Sequence, residues 1–189
     1  FIASDETADY SVDTGVGSFS ATLSVSEDSG ASGYPNDTQG FSFGLSHDSS
    51  LLAVITFTAG SVLTELNTNN GPDFIDINNF VDGITVGCVY NFSNSAFIAF
   101  VTPTAIGSVS YDTVPGGLIG NNTGTTTGLN WSNALGTPPV VNILVVNGQA
   151  QPAAFDNGTV TLEPAAAKEQ EEELQRQRED DAWHGYGDQ

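Results

Sequence analysis

Residues 40–46 read Gly-Phe-Ser-Phe-Gly-Leu-Ser, and residues 17–25 read Gly-Ser-Phe-Ser-Ala-Thr-Leu-Ser-Val. In the first stretch Phe41, Phe43 and Leu45 alternate with small or polar neighbours. In the second, Phe19, Ala21, Leu23 and Val25 alternate with Ser18, Ser20, Thr22 and Ser24. Successive strand side chains point to opposite faces, so this period of two predicts strands with one dry and one wet face. Further strands are expected over 51–58, 83–92, 96–102, 105–113, 140–147 and 158–163. Several of these are rich in β-branched and aromatic residues and bounded by Gly, Pro, Asn and Asp. A short helical turn is expected at 61–66, and the polar stretches 67–82 and 114–138 read as loops. Short strands separated by turn chemistry, with no helical period between them, predict an all-β fold: an antiparallel sandwich of about nine strands.

Composition divides the chain. Its only basic residues are Lys168, Arg176 and Arg178, so residues 1–163 carry fifteen acids and no Lys or Arg. The break coincides with Pro164, and the expected units are a β-sandwich over 1–163 and an acidic tail over 164–189. The tail opens with strong helix formers. Its pairs Lys168–Glu172, Glu172–Arg176 and Arg176–Asp180 sit four apart, where opposite charges support a helix. Leu174 is its only large apolar residue before Trp183, so the plain reading is a solvated helix. The functional reading is a peptide that orders on a partner through Leu174, Trp183 and Tyr186, since aromatic anchors often dominate such contacts.

The net charge of −20 excludes most nucleic-acid binding and attraction to an anionic membrane, both of which need clustered Lys and Arg. It also suggests adaptation to a saline medium, where salt screens the self-repulsion. No apolar run reaches the roughly 20 residues of a membrane span. One Cys, Cys88, excludes an internal disulfide and a Cys-rich zinc cluster. The chain begins Phe1-Ile2-Ala3-Ser4 rather than with Met, in keeping with a secreted or cell-surface protein after signal-peptide removal.

Residues 40–48, GFSFGLSHD, with the following SSLLAVITFTAGSVLTE, resemble the early part of a cohesin domain. The likeness rests on Gly40, Phe41, Phe43, Leu45, Asp48, Leu51, Leu52, Gly60, Ser61 and Leu63. The later stretches AIGSVSYDTV and VVNILVVNGQAQPAAFDNGTVTL are similar to the family's later strands and closing hairpin. This resemblance covers roughly residues 10–163. It implies a nine-stranded jelly-roll sandwich without catalysis that recognises a partner module, dockerin, through one sheet face. Ser49 stands where the family usually has Pro, and the chain has no dockerin-like duplicated repeat of its own.

Other chemistries have candidates. His47, Asp48 and Ser49 or Ser50 supply the residue types of a nucleophilic triad, but adjacent residues at a strand end seldom reach that geometry, and there is no G-x-S-x-G elbow. Turn residues are the plainer reading. Asp73, Asp76 and Asp82 crowd residues 69–83 with Asn78 and Asn79, an oxygen-rich set suited to calcium, although the spacing is not that of an EF-hand. Cys88 has apolar neighbours and reads as an inert buried thiol. Tyr34, Tyr111 and Trp131 are the aromatics that could stack on sugar rings, making a carbohydrate-binding module the rival reading. The leading expectation is a noncatalytic extracellular assembly module whose partner is another protein or a further copy of itself. In its filament form, the N-terminal FIASDETADY or the C-terminal tail would dock on a neighbour.

Overall fold

The computed structural model describes residues 1–165 and Arg176. Both defining stretches fold as strands. One becomes β3 (Ser18–Val25), with Ala21, Leu23 and Val25 buried and Ser18, Ser20 and Thr22 exposed. β3 is central in a four-stranded sheet, between β1 (Ile2–Ala3) on one side and β8 (Thr104–Thr113), then β5 (Leu52–Ala59), on the other. The other stretch becomes β4 (Thr38–Ser46), the middle of an eight-stranded sheet.

β4 pairs along its length with β7 (Gly83–Val89), and β6 (Phe74–Phe80) lies outside β7. Its opposite edge is shared. β10 (Ile143–Val146) pairs with the first part of β4, and β9 (Thr125–Trp131) pairs with Leu45 and Ser46 at the end. β11 (Gln149–Pro152) lies beyond β10, while β12 (Gly158–Pro164) and β2 (Glu6–Tyr10) lie beyond β9. β2 and β12 run parallel, and every other named pair is antiparallel.

The fork in β4 leaves Gly44 between β10 and β9, and the segment joining those strands satisfies its backbone. Ser132 N–H donates to the Gly44 carbonyl at 2.9 Å, and Gly44 N–H donates to Asn142 Oδ1 at 2.8 Å. The Asn142 side chain is buried and donates in turn to Asn133 Oδ1 at 2.8 Å. A Cβ at residue 44 would sit 2.5 Å from the Ser132 carbonyl, so the close approach requires glycine.

The two dry faces meet around Phe43, which is fully buried. Its ring contacts Phe57 at 5.8 Å, Trp131 at 5.4 Å, Phe41 at 5.8 Å and Phe1 at 6.1 Å between centroids. Ile84, Val86, Val109, Leu129, Val160 and Leu162 complete a core drawn from both sheets. The turn after β5 forms the short helices α1 (Ser61–Thr64) and α2 (Leu66–Asn69), whose Leu63 and Leu66 also face the core.

The structure corrects several expectations. It has twelve strands rather than about nine, and the sandwich is not wholly antiparallel. Stretches read as loops at 67–82 and 114–138 contain β6 and β9. Residues 96–102 form no named strand, Ile98 making only a bridge to Thr38. Residues 1–10 are not a free segment for a neighbour's sheet. β1 pairs with β3, β2 pairs with β12, and Phe1 is buried against Trp131. The final strand runs through Pro164, one residue past the expected division. The expected helical tail, with Leu174, Trp183 and Tyr186, lies outside the described residues.

Candidate interaction face

β6 and β7 form a hairpin around Val81-Asp82. Ile84, Val86 and Cys88 point into the core, so Gly83, Thr85, Gly87 and Val89 belong to the other side. The β6 residues on that outer side are Phe74, Asp76, Asn78 and Phe80, set beside Val89, Gly87, Thr85 and Gly83 by the register. β4 contributes Gly40, Ser42, Gly44 and Ser46. The β9–β10 connection covers one end of this face, because Leu135 Cδ1 lies 2.5 Å from where a Gly83 Cβ would be.

The rest is open. Phe74 is 46% exposed, Val89 36% and Val141 50%, and they surround Asp76, Asn78, Gly87 and Ser42. Asn78 Nδ2 donates to Asp76 Oδ2 at 2.8 Å, and Ser42 Oγ donates to the Val141 carbonyl at 2.7 Å. A Cβ on Gly87 would meet only Phe74 Cε1, at 4.0 Å, so the centre of the face is flat and unobstructed. Exposed apolar side chains around a few polar groups, on a rigid two-strand floor, are the ingredients of a protein-binding surface. Val81 and Phe92, 83% and 68% exposed, extend apolar surface to the hairpin's two ends. At one end Asp73 anchors Phe92, its Oδ2 accepting the Phe92 N–H at 2.9 Å.

The proposed calcium ligands do not converge. Asp73 precedes β6, Asp76 sits on the outer face, and Asp82 lies in the turn at the strand's far end. Seven extended residues span more than 20 Å at roughly 3.3 Å each. Among the described residues no three His, Cys, Asp or Glu side chains are placed to hold a metal ion.

Nor do the proposed sugar-stacking rings form a platform. Tyr111 is buried and stacks on Phe19 at 5.2 Å, and Trp131 is buried with its Nε1–H donating to the Asp156 carbonyl at 2.9 Å. Tyr34 is half-buried beside Val101. An open crevice of about 850 Å³ does exist elsewhere, between the β10–β11 hairpin and the 26–36 loop, with Phe1, Phe100, Leu144 and Phe155 on its walls.

The triad candidates are also apart in role. Asp48 Oδ1 accepts from Ser50 N–H at 2.9 Å and Ser50 Oγ at 2.6 Å, which is a turn cap. These bonds hold the Asp48 carboxyl below its ordinary pKa. His47 is buried edge-on to Tyr111 at 5.4 Å, and neither ring nitrogen has a hydrogen-bond partner. Burial lowers its pKa, against weaker opposing pulls from the Val81 and Leu52 carbonyls and the Asp82 and Asp48 carboxylates. Burial likewise pushes the Cys88 thiol up to about 12, leaving it without nucleophilic character.

No family model matches the sequence, and neither does any curated protein. Solved structures do match. The sixth cohesin of scaffoldin B from Acetivibrio cellulolyticus, solved with a Cel5 dockerin mutant, superposes with a TM-score of 0.58 at 18% identity, over 86% of this chain and 99% of that one. A cohesin from a type I cohesin–dockerin complex of Clostridium thermocellum gives 0.55 at 12% identity, over 85% and 96%. A non-cellulosomal cohesin from the archaeon Archaeoglobus fulgidus gives 0.52 at 14%, over 85% and 88%. The chain therefore has a cohesin-like fold.

Proposed function

We propose that this domain is a noncatalytic protein–protein assembly module, and that the outer face of β6, β7 and β4 receives its partner. The observation that carries the reading is the flat, open floor at Gly87, flanked by exposed Phe74 and Val89 on a rigid hairpin. Bulky side chains would keep a partner off the sheet, whereas Gly87 and Ser42 let it approach the backbone. The exposed Phe74, Val89 and Val141 supply anchors, and Asp76 and Asn78 supply directional hydrogen bonds. The cohesin-like fold supports the reading, since several matching cohesins were solved with dockerins bound. A dockerin-like module on another chain is the partner class it favours.

Such a module works outside the cell or at its surface. Among the described residues no helix is long and apolar enough to cross a membrane. Residues 164–189, with Trp183 and Tyr186, then serve as a second attachment point. Binding of polysaccharide finds less support, because Tyr111 and Trp131 are committed to the core.

The test uses Gly87→Arg, which places a long side chain on the open floor without displacing anything within 4 Å beyond the edge of the Phe74 ring. Wild type and variant, both folded by circular dichroism, are used to capture proteins from medium conditioned by the source organism. A protein retained by wild type and by Ala150→Arg on β11, three strands from β7 in the same sheet, but lost from Gly87→Arg, is the expected result. Identical retention by all three would overturn the assignment of the face.

A further inference from the structure

β6 ends the large sheet, and the bonding pattern of its hairpin fixes which way its backbone points. His47 N–H donates to the Asp82 carbonyl at 2.9 Å, and Tyr90 N–H to the Gln39 carbonyl at 3.0 Å. Even-numbered residues of the β7 stretch thus bond toward β4, and odd-numbered ones bond toward β6. Through the register Phe74↔Val89 to Phe80↔Gly83, the β6 residues that exchange bonds with β7 are Phe74, Asp76, Asn78 and Phe80. Ile75, Ile77 and Asn79 therefore turn their N–H and C=O groups to the free side. Among the described residues no strand pairs with that side. The Asn79 side chain donates to the Ile55 carbonyl at 2.6 Å, and Ile55, Ile75 and Ile77 remain exposed. Free edges are normally blunted by proline, charge or a bulge. The outward-bonding positions of β6 carry none of these.

The strand reads Phe-Ile-Asp-Ile-Asn-Asn-Phe, with a phenylalanine at each end equidistant from Ile77. We propose that β6 is a self-association edge, pairing antiparallel with β6 of a second copy about a twofold axis through Ile77. This joins two eight-stranded sheets into one. A twofold interface must be self-complementary, and this register meets that demand. Ile77 faces Ile77, Ile75 faces Asn79, and all of these are outward-bonding positions. On the outer face Phe74 meets Phe80, and Asp76 meets the Asn78 amide rather than another carboxylate. The neighbouring registers that keep outward positions paired are two residues away. One sets Asp76 against Asp76, the other sets Asp76 against Phe80, and both shorten the overlap. The chain's net charge of −20 opposes association. The Debye length falls from about 30 Å at 0.01 M salt to about 3 Å at 1 M, so the dimer is salt-promoted. The edge shares Phe74, Asp76 and Asn78 with the proposed docking face, and the two readings are told apart because self-association is read on this chain alone, with no partner present.

The experiment is sedimentation velocity on the full chain at low and molar NaCl, with Asn78→Lys, Asn78→Asp and Ile77→Pro beside wild type. Position 78 is exposed, so its variants keep the fold. Wild type is expected to move toward dimer as salt rises. Asn78→Lys sets a lysine opposite Asp76 twice per dimer and strengthens association. Asn78→Asp opposes like charges twice and weakens it by roughly tenfold. Ile77→Pro deletes the central edge donor without removing a bond inside the monomer, and stays monomeric with unchanged far-ultraviolet dichroism. Wild type monomeric at both salts, lysine and aspartate variants that shift alike, or a folded Ile77→Pro that still dimerises would each overturn the proposal.

Discussion

The edges of the two sheets are finished differently from the edge at β6. β11 has only four residues and ends in Pro152, which has no N–H to offer a neighbour. β2 carries Glu6 and Asp9 in a run of five. β5 is broken by an irregularity between Val54 and Thr56, and its Ile55 carbonyl is taken by Asn79. β6 has seven residues, no proline and one charge, and its apolar side chains are left in solvent. An acid-rich chain with charge to spare has left that hairpin uncharged but for Asp76 and Asp82. The difference sets β6 apart as the edge left open, while its partner β7 buries Ile84, Val86 and Cys88 in the core.

The contrast is broken most forcefully by cutting into each side of it. Phe43→Ala removes the ring that four aromatic contacts surround and should destabilise the domain by about 3–5 kcal/mol in urea unfolding. Phe74→Ala, on the exposed hairpin, should change stability by less than about 0.5 kcal/mol. Equal costs would mean that the Phe74 ring helps to hold the monomer together. Next, Asn142→Ala strands the buried Gly44 N–H at the fork of β4 and should cost about 1–3 kcal/mol by the same measurement.

Acid sharpens the comparison at the junction of core and hairpin. The native pKa of His47 lies below its ordinary 6.5, so the native state prefers the neutral ring. Its contribution is whole above about 6.5 and is lost as pH falls through the lowered native value. The urea midpoint should therefore drop between pH 7 and pH 5, and His47→Phe should flatten that drop. A pH dependence unchanged in the variant would remove His47 from the account. The smallest effect is that of salt: relief of acid–acid repulsion should raise the thermal midpoint modestly between millimolar and molar NaCl.

Legibility in the sequence follows the same division. β3 and β4 each bury one face, so Phe41, Phe43 and Leu45 write a clean period of two. β6 was hidden because an edge strand with both faces half in solvent has no dry side to mark it, and its Asn and Asp imitate a loop. β9 reads Thr-Thr-Thr-Gly-Leu-Asn-Trp and buries only Leu129 and Trp131. The candidate face was missed for that reason: Phe74 and Val89 come together only once β6 is set beside β7. Trp131 and Tyr111 misled in the opposite direction. Their place in or near turns suggested exposed stacking rings, whereas both are buried, one donating to the Asp156 carbonyl and the other packed against Phe19. The residues that suggested a cohesin-like order, from Gly40 to Leu63, are mostly core and turn residues, which is why they spoke for the fold and not for a partner.

The most direct test of the central claim is a calorimetric titration of the captured partner against wild type, Gly87→Arg and Ala150→Arg. The account predicts that Gly87→Arg weakens binding by roughly thirtyfold or more, the loss expected when an interface centre is blocked, while Ala150→Arg binds as wild type does. A partner that tolerates arginine at 87 and is lost with arginine at 150 would place the contact on the opposite margin of the sheet and contradict the account.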